Sequence, residues 1–61
     1  MKYKITIDGY EVAESDSRDS KRHLQNQGGN VCRVLTKGGR CISEARRDES
    51  GKIYNCVVYN P

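Results

Sequence analysis

The chain is short, moderately apolar and weakly basic, and these properties exclude several classes of protein. Its 61 residues suffice for one domain, residues 1–61. This length is near the lower limit for folding without disulfides or a bound metal. With 34% apolar residues in alternating runs and a net charge of +3, it is not a disordered chain. No apolar run reaches membrane-spanning length and no secretory signal is visible, so we expect a soluble, cytoplasmic protein without a membrane partner.

The first predicted element is a hairpin centred on Asp8-Gly9. Alternating apolar and polar residues flank this pair, whose tolerance of positive φ makes it the strongest short-range hairpin signal. A two-residue turn pairs Ile7 with Tyr10 and Ile5 with Val12. The apolar face of this hairpin is then expected to hold Tyr3, Ile5, Ile7, Tyr10 and Val12.

A short helix is predicted next, over residues 17–27, in "SDSRDSKRHLQNQGG". Asp16 or Ser17 is the candidate N-cap, and Asp19 in the first turn suits the helix dipole. Gly28, with positive φ, is expected to end the helix. The residues predicted to face the sheet are Ser20, His23 and Leu24.

The second half of the chain predicts three further strands. "NVCRVLT" and "RCISEAR" flank "KGG", which favours a three-residue turn with Gly39 left-handed and Val34 facing Ile42. A two-residue glycine turn is the alternative, and it places Arg33 opposite Glu44. The run "IYNCVVY" predicts the last strand, residues 53–59.

These elements predict an α+β fold in the order β-β-α-β-β-β, a five-stranded antiparallel sheet with one helix packed on one face. The residues expected under the helix from the central hairpin are Cys32, Val34 and Ile42. The opposite, uncovered face is expected to carry Val31, Arg33, Leu35, Cys41, Ser43 and Ala45. A partly apolar exposed face is typical of a contact site.

The sequence has no pattern for a metal, a cofactor or catalysis. Cys32, Cys41 and Cys56 are widely spread and lie in predicted strands, where a reduced cysteine is a small apolar residue. A site with His23 lacks the C-x-x-C spacing of zinc modules, and no third group orients a Cys-His pair. The glycine pair follows the helix, at the wrong end for binding phosphate. We predict a non-enzymatic protein without metal or cofactor.

Basic residues on the helix and the central hairpin predict a charged contact surface. Such side chains neutralise nucleic-acid phosphates, although the acidic residues are interleaved with them and no continuous basic stripe is visible.

The segments "AES", "SKR", "VCRVLTKGGRCISE" and "DESGKIYNC" together resemble small phage-encoded anti-CRISPR proteins that inhibit the type I-F surveillance complex. The resemblance implies two strands, a capped helix and a three-stranded meander. It also implies a protein that works by occupying a surface of a CRISPR effector complex. The partner-binding residues it implies are Lys21, Arg22, Arg33, Lys37 and Arg40, with Tyr54 or Tyr59 as an aromatic anchor.

The leading hypothesis is therefore a phage or mobile-element accessory protein that inhibits a host nucleoprotein complex by binding a host protein in it. The alternative is a small nucleic-acid-binding regulator that uses the basic residues of the helix and central hairpin. A homodimer, joined through the uncovered sheet face or an edge strand, is compatible with both.

Overall fold

The computed structural model describes residues 2–58, which form one sheet and one helix. The elements are β1 (Tyr3–Ile7), β2 (Tyr10–Ser15), α1 (Ser20–Gln27), β3 (Val31–Leu35), β4 (Cys41–Arg47) and β5 (Ile53–Cys56). The strands pair antiparallel in the order β2-β1-β3-β4-β5. The predicted α+β fold is confirmed. No helix of the described residues is long and apolar enough to cross a membrane.

The Asp8-Gly9 turn forms as predicted. Asp8 has φ 52° and Gly9 has φ 89°, the positive values that a two-residue hairpin turn requires. Ile7 pairs with Tyr10 beside the turn. The same aspartate also joins the turn to β3, because its Oδ1 accepts hydrogen bonds from the N–H groups of Asn30 (3.1 Å) and Val31 (3.0 Å).

The predicted register fails further along this hairpin, because β2 contains a bulge. Ile5 pairs with Ala13 instead of Val12, and Ala13 packs against the core in its place. The predicted pairing of Ile5 with Val12 is therefore wrong, and Val12 is 45% exposed; Tyr10 lies opposite Ile7 as predicted but is 76% exposed. The reason is tertiary, since within residues 2–58 α1 packs on β1, β3, β4 and β5 and does not reach β2.

The helix begins later than predicted, at Ser20 instead of Ser17. Asp19 is its N-cap, and the Asp19 carboxylate accepts a hydrogen bond from the backbone N–H of Arg22 at 3.3 Å. The Ser17 hydroxyl accepts one from the Asp19 N–H at 3.3 Å. Local side-chain bonds of this kind compete with helical ones and hold the preceding residues in a turn.

The C-terminal end of α1 and its buried face agree with the prediction. Gly28 has φ 78° and donates its N–H to the Leu24 carbonyl at 3.0 Å. Leu24 is fully buried, Ser20 is 1% exposed and His23 is half-buried. Leu24 is the only aliphatic residue of the helix, so it fixes α1 on the sheet.

The central hairpin combines both registers that the sequence allowed. Gly39 has φ 90° and the Thr36 N–H donates to the Arg40 carbonyl at 2.9 Å, as a three-residue turn requires. A bulge at Ile42 then shifts the pairing by one residue, so that Arg33 lies opposite Glu44. The prediction that Val34 faces Ile42 is wrong, because Val34 pairs with Ser43.

The bulge also changes which residues lie under the helix. Ala45 is fully buried, and the Ser43 and Ser20 hydroxyls form a hydrogen bond of 2.7 Å. The prediction that Ser43 and Ala45 belong to the uncovered face is therefore wrong. The core consists of Ile5, Ile7, Leu24, Cys32, Val34 and Ala45, with Tyr3, Ala13, Ile42 and Ile53 packed around it.

The last strand is shorter than predicted. Its pairing with β4 ends at Cys56, and Val57 and Val58 follow outside the strand. Tyr59, predicted to be in this strand and in the binding site, lies outside the described residues.

Candidate partner-binding surface

Within residues 2–58 nothing covers the face of the sheet opposite the helix, and this face carries three cross-strand rows. One runs from Lys4 to Leu35 and Cys41, the next from Thr6 to Arg33, Glu44 and Cys56, and the third from Val31 to Arg46 and Tyr54. We call this surface the open face. It comprises Lys4, Thr6, Val31, Arg33, Leu35, Cys41, Glu44, Arg46, Tyr54 and Cys56.

A triplet of charged side chains lies at the centre of the open face. The Glu44 carboxylate accepts hydrogen bonds from Arg46 Nε at 2.8 Å and from Arg33 Nε at 3.0 Å, one on each carboxylate oxygen. The Glu44 side chain is only 16% exposed, whereas the two arginines are 44% and 47% exposed. The hydrogen bond from Arg46 lowers the pKa of Glu44, against the opposing effect of burial. The carboxylate holds both guanidinium groups in place, and the triplet keeps one net positive charge.

Apolar groups flank the triplet. Leu35, Cys41, Val57 and Val58 line a shallow groove together with Thr6, Arg33 and Glu44. Tyr54 is 45% exposed and lies opposite Arg46 on the neighbouring strand. Val57 is 76% exposed. Charged, aliphatic and aromatic side chains therefore share one surface.

The predicted site residues divide among three places. Arg33 and Tyr54 lie on the open face, whereas Lys21 and Arg22 lie on α1, on the other side of the sheet. Lys37 and Arg40 are exposed in the β3–β4 turn at one end. The set therefore does not form one continuous surface.

Glu44 and Arg46 were not in the predicted set. Alternation along β4 places Glu44 and Arg46 on one face and Arg47 on the other. The meeting of Glu44 with Arg33 depends on the bulge at Ile42. Of the two registers predicted for the central hairpin, only the alternative, with a two-residue glycine turn, placed Arg33 opposite Glu44.

A second surface lies between α1 and the β4–β5 turn. Lys21, Gln25, Arg47 and Lys52 line one shallow depression there, and Lys21 and Arg22 line the adjacent one together with Asp19. We call Lys21, Arg22, Arg47 and Lys52 the basic patch. Arg47 donates to the carbonyls of Gly29 (3.0 Å) and Gly51 (3.3 Å), which fixes its position.

The acidic side chain nearest in sequence to the basic patch has a structural role. Asp48 Oδ1 accepts hydrogen bonds from the Ser50 hydroxyl (2.7 Å), the Ser50 N–H (2.9 Å) and the Lys52 N–H (2.9 Å). The Ser50 side-chain hydrogen bond is the main cause of its lowered pKa. Asp48 therefore closes the β4–β5 turn.

The three cysteines are free thiols in different surroundings. Cys32 is fully buried, and burial raises its pKa to about 11, with a smaller contribution from Cys41. Cys41 and Cys56 are half-buried. Across residues 2–58, no group of three or more His, Cys, Asp or Glu side chains is arranged to hold a metal ion.

No protein-family model, curated protein or solved structure matches this chain. The candidate functional surfaces are the open face and the basic patch.

Proposed function

We propose that this protein is a non-enzymatic accessory protein of a phage or mobile element, which inhibits a host nucleoprotein complex by binding it in the host cytoplasm, as anti-CRISPR proteins do. The contact surface is the open face. The observation that carries this proposal is the Arg33–Glu44–Arg46 triplet, held in one geometry beside exposed apolar side chains. The proposed target, a CRISPR effector complex, comes from the sequence resemblance to type I-F inhibitors.

The composition of the open face favours a protein partner over a nucleic acid. Arginine and tyrosine are enriched at protein interfaces and carry much of their binding energy. Side chains that are already held in place also lose less conformational entropy on binding. The basic side chains of this face are balanced by Glu44 and, on β2, by Glu11 and Glu14, which a polyanion would repel.

Co-elution with a type I-F surveillance complex, together with an interference assay in cells, tests the proposal. R33A should weaken binding by about tenfold or more, as the loss of an interface arginine typically does. Glu44 keeps Arg46 as a partner in this variant, so the fold is retained. Q25A on the exposed side of α1 is the matched control and should bind normally. The proposal is wrong if the protein neither co-elutes with the complex nor reduces interference.

The basic patch favours a second candidate function, binding of a nucleic-acid backbone. Lys21 and Lys52 are distant in sequence, and the fold places both at one depression beside Arg47. Three or four phosphate contacts predict that log K falls with log salt concentration with a slope of about −2 to −4. An electrophoretic shift that K21E/K52E abolishes and R33A leaves intact would support this function. No shift at low salt would exclude it.

A further inference from the structure

The strand β5 has one free side. It lies at the end of the sheet, and within residues 2–58 its only strand neighbour is β4. A free side presents unpaired N–H and C=O groups to which another strand can pair.

The hydrogen bonds of the β4–β5 turn determine which backbone groups of β5 face outward. The Asp48 N–H donates to the Lys52 carbonyl at 2.9 Å, so residues 48 and 52 form a hydrogen-bonded pair. Such pairs alternate along an antiparallel ladder, which makes Arg46–Tyr54 and Glu44–Cys56 hydrogen-bonded pairs as well. The outward N–H and C=O groups of β5 are therefore those of Ile53 and Asn55, and extending the strand by one residue past Cys56 adds those of Val57.

The two edges of the sheet differ in their capacity to pair. The other edge, β2, has a bulge at Val12 and carries Glu11 and Glu14. Bulges and charges both hinder edge pairing, and a second β2 would bring two more carboxylates to the same edge. Residues 53–58 carry no charge, and β5 pairs with β4 without a register shift. Among residues 2–58, β5 is therefore the edge without these obstacles to pairing.

We propose that β5 pairs antiparallel with β5 of a second copy of this chain, around a two-fold axis at Asn55. In this register the outward backbone groups of all three residues form hydrogen bonds with the second copy. Residues with compatible side chains also lie opposite each other. Ile53 lies opposite Val57 of the second copy, and Tyr54 opposite its Cys56. The two Asn55 side chains meet at the axis. The pairing draws residue 57 into the strand, so the Val57 side chain, 76% exposed in the single chain, moves to the face of Ile53 and is covered by Ile53 of the second copy.

The dimer has a structural and a functional consequence. The two five-stranded sheets become one continuous sheet, with the two open faces side by side. Additional burial also stabilises a small core, which has six buried apolar residues among residues 2–58. This inference goes beyond the proposed function, because it concerns self-association and needs no host partner.

Sedimentation equilibrium of the full chain tests the dimer. The expected mass at high concentration is twice the 6.9 kDa of the single chain. N55K places two ammonium groups at the axis and should raise the dimer dissociation constant by about tenfold or more. V12K, on the other edge, is the matched control and should leave the dimer intact. A monomer at all concentrations, or a dimer that V12K dissociates and N55K does not, would overturn the proposal.

A crosslinking experiment tests the register independently of how N55K folds. Tyr54 and Cys56 of the second copy form a non-hydrogen-bonded pair, with Cα atoms about 4.5 Å apart, inside the range for a disulfide. Y54C treated with oxidised glutathione should give a covalent dimer through the native Cys56, with two thiols oxidised and one glutathione disulfide reduced for each bond. Y54C/C56S and V12C should give none. Failure of Y54C to crosslink would refute this register.

Discussion

The hydrogen bonds of Asp8 predict how strongly one turn residue stabilises the whole sheet. D8A removes the acceptor for the N–H groups of Asn30 and Val31, and it leaves an alanine at φ 52°. D8G removes the same acceptor and tolerates the positive φ. D8N keeps an acceptor oxygen and tolerates the conformation. The three variants separate the hydrogen-bond contribution from the backbone contribution.

The magnitudes follow from the exposure of this turn. Asp8 is exposed, so each lost hydrogen bond should cost about 0.5–1 kcal/mol, the lower part of the usual range. The left-handed conformation costs an alanine about 1 kcal/mol more. D8A should therefore lower the free energy of unfolding by about 2–3 kcal/mol, D8G by about 1–2 and D8N by less than 1. The loss expected for D8A is a large part of the total free energy of unfolding, which is roughly 3–9 kcal/mol for a chain of this size.

Urea denaturation followed by far-ultraviolet circular dichroism measures these differences. Thermal unfolding should show D8A melting about 10–20 °C below the unmodified protein, because small domains shift by several degrees per kcal/mol. The expected order of stability is D8N, then D8G, then D8A. If D8A and D8N unfold at the same urea concentration, Asp8 does not join the first turn to β3 and the account is wrong.

Three further predictions concern the folded chain. G29A should be more destabilising than G28A, because at positive φ its Cβ would collide with the Ile7 side chain, whereas the Cβ of G28A meets nothing within 4 Å; urea midpoints compare them. The pKa of Glu44 is lowered in the folded protein, so its carboxylate contributes stability above the ordinary value of 4.5 and this contribution is lost as pH falls through the folded pKa; E44Q should therefore lose less stability than the unmodified protein as the pH is lowered below 4.5. Cys32, with a pKa of about 11, should resist a thiol reagent at neutral pH until the protein is unfolded, while the other two thiols react; equal rates for all three would contradict its burial.

The turns and the element types were predictable because local backbone conformation decides them. Asp8-Gly9, Gly28 and Gly39 tolerate positive φ, so the chain reverses or ends a helix at these positions in the structure as in the prediction. The end of α1 and its buried Leu24 followed from the same local signals. The candidate site was harder to predict from the sequence. Arg33 and Tyr54 were predicted as contact residues, whereas their neighbours Glu44 and Arg46 were not.

The sequence alone thus determined the kinds of element, their order and the turns that join them. The tertiary structure decided the spatial order of the strands and the bulges at Val12 and Ile42. The helix reaches only four of the five strands, so β2 shifts its register and exposes Val12, while β4 shifts to place Ala45 under the helix. The β4 adjustment buries Ala45 against a helix that is distant in the chain, and no local pattern encodes that choice.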